Sequence, residues 1–357
     1  MITIQDVARH AAVSVSTVSN VLNGRGDRMR PQTLARVESA IAALQFRPSR
    51  LAQQLKTGQT PLLGLLVPSM ANPIYGFIAR EIETFAQEQF GFRLLIGSTY
   101  RDAAKEAVFF DDLLAHGVRR VIVISSLADE RHLESAVARG MSVMSYDRRA
   151  APDRPSAVGH VTPDNFAAAR LATSHLIAQG HRRLAFVTVA GMTMSRSDKI
   201  AGFFAAADAA GLLASAHVLD GGPLNEYGDS VIAETGRATG HQLAVDPKRP
   251  TGIVALNDLM ALGLMAGLRE AGCRVPQDVS VVGIDGLFLA ALANPSLTTV
   301  QLPVREMTRA MVEQVMAPAA AAPYERVFGQ VRLIERESVA PPPVDARSKP
   351  VRKRARA

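Results

Sequence analysis

The chain has 357 residues, 48% hydrophobic and 20% charged, with a formal charge of +7; this profile excludes a disordered or fibrous polypeptide and leaves room for two or three domains. One cysteine, Cys273, excludes an intramolecular disulfide. No apolar run is long enough to span a bilayer and residues 1–6 carry no signal-peptide pattern, so a cytoplasmic protein with no membrane contact is expected. Residues 1–60 hold eight Lys/Arg against three acids, and residues 341–357 hold six against one. Each end therefore carries +5 and the 280 residues between them −3, which points to a polyanion met by the ends.

Thr3 and Asp6 stand at capping-box spacing before a first helix whose inner face is Ile4, Val7, Ala8 and Ala11. A short link, Ala12-Val13-Ser14, leads to a second helix over 14–23, with Ser14 as its N-cap. Val18, Val21 and Leu22 form its apolar stripe, leaving Ser16, Thr17, Ser19, Asn20 and Asn23 outward: small, uncharged, and rich in donors and acceptors. That face suits a groove of base edges and phosphates, or is simply a polar surface. Two helices joined this tightly make a helix-turn-helix candidate. A third helix starts at Pro31 and turns Leu34, Val37, Ile41 and Leu44 inward. Ser49 and Gly58 bracket about two turns of helix carrying Leu51, Ala52 and Leu55, too short to be stable alone.

From Leu62 short apolar strands alternate with amphipathic helices. Strands are expected at 62–67, 92–97, 120–125, 141–146, 183–189, 252–256 and 279–284. Helices are expected at 74–89, 103–116, 165–179, 197–211, 257–271 and 303–316. This is an α/β plan of parallel sheets covered by helices, and a break around 150–160 suggests two similar lobes. Beyond residue 340 apolar periodicity ends and a disordered basic tail is expected. The chain lacks G-x-G-x-x-G after a strand, a P-loop, G-x-S-x-G and H-E-x-x-H, and its eight His have no metal-ligand spacing. No enzyme activity, catalytic residue, cofactor or metal is expected. A solute-binding protein of similar core is the alternative, but it would need a signal peptide and no N-terminal helices.

The chain resembles the lactose-repressor (LacI/GalR) family of bacterial transcription regulators. Near the N-terminus the resemblance rests on Ile4-Gln5-Asp6-Val7-Ala8, Val13-Ser14, Thr17-Val18-Ser19, Val21-Leu22-Asn23, Phe46-Arg47-Pro48-Ser49 and Leu51-Ala52-Gln53-Gln54-Leu55. Further along it rests on Asp164-Asn165, Gly180-His181, Ala201-Gly202-Phe203, Asn257-Asp258, Val275-Pro276-Gln277-Asp278-Val279-Ser280, Gly283-Ile284-Asp285 and Leu297-Thr298-Thr299-Val300. These occur in family order from about residue 2 to 339.

The resemblance implies an all-α helix-turn-helix headpiece (1–47), a hinge helix and linker (48–60), and a two-lobed core like a periplasmic binding protein (61–340). The lobes are expected at about 61–160 plus 290–318 and about 161–289 plus 319–340, followed by the tail 341–357. It also implies a homodimer on near-palindromic double-stranded operator DNA, repressing under control of a small molecule bound between the lobes, a sugar or sugar derivative such as a sugar acid, for which Arg196 or Lys199 leaves room. Val15, Ser16 and Asn20 match base-reading positions, although Val15 could instead extend the inner stripe; Thr17, Ser19 and Asn23 match backbone contacts. Arg50, Ala52 and Leu55 belong to the hinge, Leu55 at the position that wedges into the minor groove; its alternative is docking the hinge on the core. Ile74, Tyr75, Asp147, Ser195, Arg196, Asn257 and Asp285 match effector-binding positions, with Lys199 standing where the family usually has Arg. Asp258 reads as a helix cap rather than a ligand contact. The loop after Asn23 is a residue longer than usual, and Arg30 replaces a usual capping Ser.

Overall fold

The computed structural model describes residues 2–22, 25, 29–46, 61–125, 127, 129–149, 156–191, 193–222, 231–317 and 324–343. The chain divides into two compact units, 1–60 and 61–357. Among the described residues no helix is long and apolar enough to cross a membrane.

The first unit contains α1 (Ile4–His10), α2 (Val15–Leu22) and α3 (Pro31–Ala43). The Thr3–Asp6 capping box forms: the Asp6 amide donates to Thr3 Oγ1 while Asp6 Oδ2 accepts from the Thr3 amide. α1 ends as Ala12 turns left-handed (φ 51°) and the Val13 amide reaches back to the Ala8 carbonyl. Val7, Ala8, Val18, Val37 and Ala40 are buried at the centre, closed by Ile4, Val21, Leu22 and Leu44. Val15 is 43% exposed while Val18 is fully buried, so Val15 does not extend the inner stripe. Arg30 occupies the N-cap of α3 without a side-chain cap bond, as expected of a residue with no acceptor atom; Pro31 pre-sets the first turn.

The second unit holds two six-stranded sheets. The first has the order β11-β5-β4-β3-β1-β2, from β1 (Leu62–Val67), β2 (Arg93–Ser98), β3 (Arg120–Ile124), β4 (Ser142–Tyr146), β5 (Gly159–Pro163) and β11 (Glu325–Phe328). The second has the order β12-β10-β9-β8-β6-β7, from β6 (Leu184–Thr188), β7 (Ala216–Asp220), β8 (Gly252–Ala255), β9 (Ser280–Asp285), β10 (Thr298–Gln301) and β12 (Arg332–Ile334). All pairings are parallel except the short edge strand β12 against β10. Connecting helices are α4 (Pro73–Phe90), α5 (Ala103–Ala115), α6 (Arg131–Ala138), α7 (Asn165–Ala178), α8 (Met194–Ala209), α9 (Ile232–Val245), α10 (Asp258–Glu270), α11 (Leu289–Leu292) and α12 (Val304–Met316). The continuous burial of β5, β6, β8 and β9 is what sheets covered on both faces require.

Strand pairing corrects the expected lobe boundaries. β10, expected in the first lobe, pairs with β9 in the second sheet, and β11, expected in the second lobe, pairs with β5 in the first. The chain therefore passes between sheets three times: after Pro163, after Gln301, and between Phe328 and Arg332. α12 returns to the first sheet, packing on α4 and β3–β5. The expected helix at 197–211 begins a turn earlier, at Met194, because Thr193 caps it. β5, β7, β10, β11, β12, α6, α9 and α11 were not among the expected elements. The hinge, 48–60, and residues 344–357 of the expected tail lie outside the described residues.

α9 and α10 meet backbone to backbone through Gly236 and Gly240 on one helix and Gly263 and Gly267 on the other. A methyl group on Gly263 would collide with the Ala233 carbonyl, whereas one on exposed Gly76 in α4 would meet nothing. Gly263→Ala should therefore destabilise the core by about 1–3 kcal/mol through overpacking. Gly76→Ala should stabilise it by about 0.5–1 kcal/mol through helix propensity. Chemical denaturation of both variants checks the contrast, and equal effects would contradict the packing.

Candidate functional site

The exposed face of α2 is organised by its cap. Ser14 Oγ accepts from the Thr17 amide (3.2 Å) and hydrogen-bonds the hydroxyls of Ser16 (2.7 Å) and Thr17 (2.8 Å). Val15, Ser16 and Asn20 are exposed, Thr17 and Ser19 half-buried. The helix carries no charge in its first or last turn. It therefore presents a methyl pair, a hydroxyl and a carboxamide on a rigid base: a hydrogen-bonding surface without its own electrostatic attraction. Asn23 lies outside the described residues, as do Arg50, Ala52 and Leu55.

In the second unit a cavity opens where the carboxyl ends of both sheets meet. The first sheet's wall starts with Asn72, whose side chain accepts from the Ile74 amide (3.2 Å) and caps α4, so that Ile74 and Tyr75 occupy its first turn at the cavity. Arg101, just past β2, donates to the Tyr75 hydroxyl (2.9 Å). Asp147 follows β4 in the left-handed region (φ 66°), and its carboxylate accepts from Asn165 Nδ2 (2.9 Å) at the start of α7. Burial first, then the charges of Asp147 and Asp285, push the Tyr146 phenol well above its ordinary range, so it stays protonated.

The second sheet's wall begins with Thr193, which accepts from the Arg196 amide (3.3 Å) and starts α8. This places Ser195, Arg196 and Lys199 on the cavity, all buried. Arg196 Nη1 donates to the carbonyls of Ala190 (2.9 Å) and Gly191, fastening the loop between β6 and α8. Lys199 Nζ donates to the Leu256 carbonyl (3.1 Å) at the end of β8. Asn257 accepts from the Met260 amide (2.9 Å), so Asn257, not Asp258, caps α10. The expectation for Asp258 is thus corrected: it is fully buried, accepting from the Leu287 amide (2.7 Å) and the Thr299 hydroxyl. Those bonds pin the loop that follows Asp285, a non-glycine residue held at φ 141°. Arg149 Nη2 reaches both oxygens of Asp198 on α8 (2.6 Å each), joining the loop after β4 of the first sheet to a helix of the second.

All seven residues expected at an effector site, Ile74, Tyr75, Asp147, Ser195, Arg196, Asn257 and Asp285, line this one cavity. Asn72, Arg101, Tyr146, Asn165 and Thr193 line it too and were not singled out. Their signal was available: Asn72, Arg101, Asn165 and Thr193 each lie within five residues of a strand's carboxyl end, and Tyr146 is the last residue of β4. Among the described residues no cluster of His, Cys, Asp and Glu could hold a metal ion.

A profile for bacterial regulatory proteins of the lacI family matches residues 3–49, and one for a periplasmic binding protein-like domain matches residues 173–339. The HTH-type transcriptional repressor PurR of Aliivibrio fischeri (strain ES114) is 32% identical over 346 residues, covering 95% of this chain and 98% of that protein. The chain belongs to the LacI family. Among solved structures, the lac repressor dimer bound to operator and the anti-inducer ONPF superposes with a TM-score of 0.78 at 25% identity, covering 95% of this chain and 99% of that one. The transcriptional regulator CelR in complex with cellobiose gives a TM-score of 0.66 at 27% identity, covering 95% and 100%. The protein is therefore a DNA-binding transcription regulator, with a helix-turn-helix unit and an effector-controlled, periplasmic-binding-protein-like core.

Burial pushes the Asp258 carboxyl up to about 6, against the hydrogen bonds from Thr299, Leu287 and Gly286 that draw it down. A carboxyl raised in this way binds its proton more tightly folded than unfolded. Its contribution is complete below pH 3.8 and is lost as the pH rises through about 6. Asp258→Asn should remove this dependence. The stability of wild type minus variant should fall by roughly 2–3 kcal/mol between pH 4 and 7, at about 1.4 kcal/mol per unit of displacement. A difference constant across that range, measured by denaturant titration, would refute the assignment.

Proposed function

We propose that this LacI-family protein is a cytoplasmic, homodimeric repressor on near-palindromic operator DNA, released or engaged by a sugar or sugar derivative bound in the cavity. The observation that carries the reading is the convergence of Ile74, Tyr75, Asp147, Ser195, Arg196, Asn257 and Asp285 on one cavity walled by both sheets. Two carboxylates, an ammonium, two guanidiniums, amides and two aromatic rings suit a polyhydroxylated ligand, whose hydroxyls donate to acids and whose apolar face packs on rings. The CelR–cellobiose complex supports that ligand class, and the lac repressor dimer on operator supports the assembly.

In this reading Asn20 pairs with adenine, Ser16 donates or accepts at a base edge, and Val15 packs on a thymine methyl. Thr17, Ser19 and Asn23 hold backbone phosphates. In the hinge, Arg50, Ala52 and Leu55 enter the minor groove, with Leu55 as the wedge and Ala52 allowing close approach. A ligand that favours one arrangement of the two sheets shifts the dimer's population, and only through its differential affinity for the two states. The lone buried Cys273 and the DNA partner support a cytoplasmic setting. The protein's relatives are regulators, and no catalytic role is assigned to any residue.

Two substitutions test the division of roles. Asn20→Ala should cost about 1–3 kcal/mol at its own base pair and relax specificity there. Leu55→Ala should weaken operator binding far more than non-specific binding. Both are read by fluorescence anisotropy against operator variants and random duplex at matched salt. Uniform loss on all duplexes would remove the base-reading and wedge roles.

A further inference from the structure

After β12 the chain crosses the amino edge of its own sheet, the edge opposite the cavity. Ser338 is seated between β9 and β10: its carbonyl accepts from the Val281 amide (2.9 Å), and its hydroxyl accepts from the Thr298 amide (2.8 Å) and donates to the Val281 carbonyl (2.6 Å). At the start of β9 the Ala340 amide donates to Ser280 Oγ (3.1 Å). The Ala340 carbonyl accepts from Ser280 Oγ and from His181 Nε2 (3.0 Å each). Pro342 then stands beside Gly180, in the loop that leads into β6. This strap fixes the point from which residues 344–357 continue.

Positive charge gathers at that point. Arg182 and Arg183 follow Gly180, and Lys248 and Arg249 lie in the loop before β8; all are exposed or half-buried and enter no ion pair among the described residues. Arg182 and Arg249 donate to neutral carbonyls there. The acids of the edge do not cancel this charge. Asp278 is paired with Arg274 and Glu270 with Arg237. Outside those pairs the described edge has Arg182, Arg183, Lys248, Arg249, Arg269 and Arg336 against Asp208, Asp246, Glu335 and Glu337. Residues 344–357 add Arg347, Lys349, Arg352, Lys353, Arg354 and Arg356 against Asp345 alone. Two valines are the only sizeable apolar side chains in that segment, so it offers a partner charge rather than burial.

The polyanion at hand is DNA. A duplex carries one negative charge per about 1.7 Å of its axis, and each phosphate neutralised by Lys or Arg releases condensed counterion. The helix-turn-helix unit of the same chain holds DNA and so raises the local concentration of phosphates around any cation tethered to it.

We propose that residues 344–357, with Arg182 and Arg183 at their root, form a second DNA contact that grips phosphates of any sequence. It adds affinity and salt dependence without base discrimination.

The test compares the full chain with three variants: one ending at Pro343, one with the six Lys/Arg of 344–357 changed to Gln, and Arg182→Gln with Arg183→Gln. Fluorescence anisotropy reads binding to a random duplex, and to an operator selected from a random pool, across about 50 to 200 mM salt. Ending the chain at Pro343 should weaken random-duplex binding about tenfold or more at the lowest salt. It should also flatten the slope of log affinity on log salt by about 2–4, at about 0.9 per phosphate contact. The Gln-substituted segment should match the truncation, and it replaces the truncation if that chain melts early. Arg182→Gln with Arg183→Gln should flatten the slope by about 1. Operator binding should fall by the same factors, leaving the operator-to-random ratio within about twofold. The proposal is overturned if the truncation or the arginine pair leaves the slope as it is, if the Gln-substituted segment binds like the full chain, or if operator binding alone falls. Binding to anionic lipid vesicles that the truncation abolishes, with the DNA slope intact, would give the segment to a membrane surface and overturn it too.

Discussion

A parallel strand followed by a helix must leave every strand-to-helix loop at the same edge of its sheet, and this protein has two such sheets in one unit. The constraint decides where chemistry can occur. Helix N-termini, their capping side chains and the ends of the strands all collect at one edge. Asn72, Thr193 and Asn257 are all caps, and all three line the cavity. Each satisfies a helix amide with its side-chain oxygen and so fixes the first turn on which its neighbours stand. The positions of Ile74, Tyr75, Ser195 and Lys199 follow from those caps.

The cavity's two carboxylates are held in unusual backbone. Asp147, just after β4, and Asp285, at the end of β9, both have positive φ, a conformation that costs a non-glycine residue of order 1–3 kcal/mol unless its surroundings enforce it. For Asp285 the enforcement is visible. Asp258, buried beneath it, ties the Leu287 amide and the Thr299 hydroxyl. Gly283 leaves room for that carboxylate, since a side chain there would collide with it. Asp258 thus acts on the cavity indirectly, through the loop it pins.

The two sheets are coupled by more than the cavity. Three passages of the chain, the return of α12 to the first sheet and the Arg149–Asp198 ion pair all bridge them. The ion pair is partly exposed and is worth little by itself. Covalent crossings restrict which relative movements are possible, and a weak polar bridge lets a bound ligand shift the balance among them. The N-terminal unit works under a different constraint. Its exposed α2 face holds no ionic group, so attraction to a polyanion has to come from lysines and arginines elsewhere, which are concentrated in residues 1–60 and 341–357.

Much was legible in the sequence because it depends on near neighbours. Capping boxes and apolar periodicity located α1–α3 and the main buried strands, and the family resemblance pointed to seven of the residues that line the cavity. What escaped had a weak local signal. α9 carries Gly236 and Gly240, which read against a helix until α10 packs backbone to backbone against them. β11 and β12 are short, largely exposed edge strands whose identity comes from their partners. Sheet membership of β10 and β11 was likewise undecidable locally, since a strand's pattern records that it is buried but not which strand it pairs with. Asp258 looked like a cap because position and residue type fit one; only packing under Thr299 and Leu287 made it an interior carboxylate. The sequence alone thus determined the helical elements and buried strands, set by local chemistry, and through its resemblance to a family the two-part plan and seven residues of the cavity. The tertiary structure decided which side chains face one another, because pairing and burial exist only between segments distant in the chain.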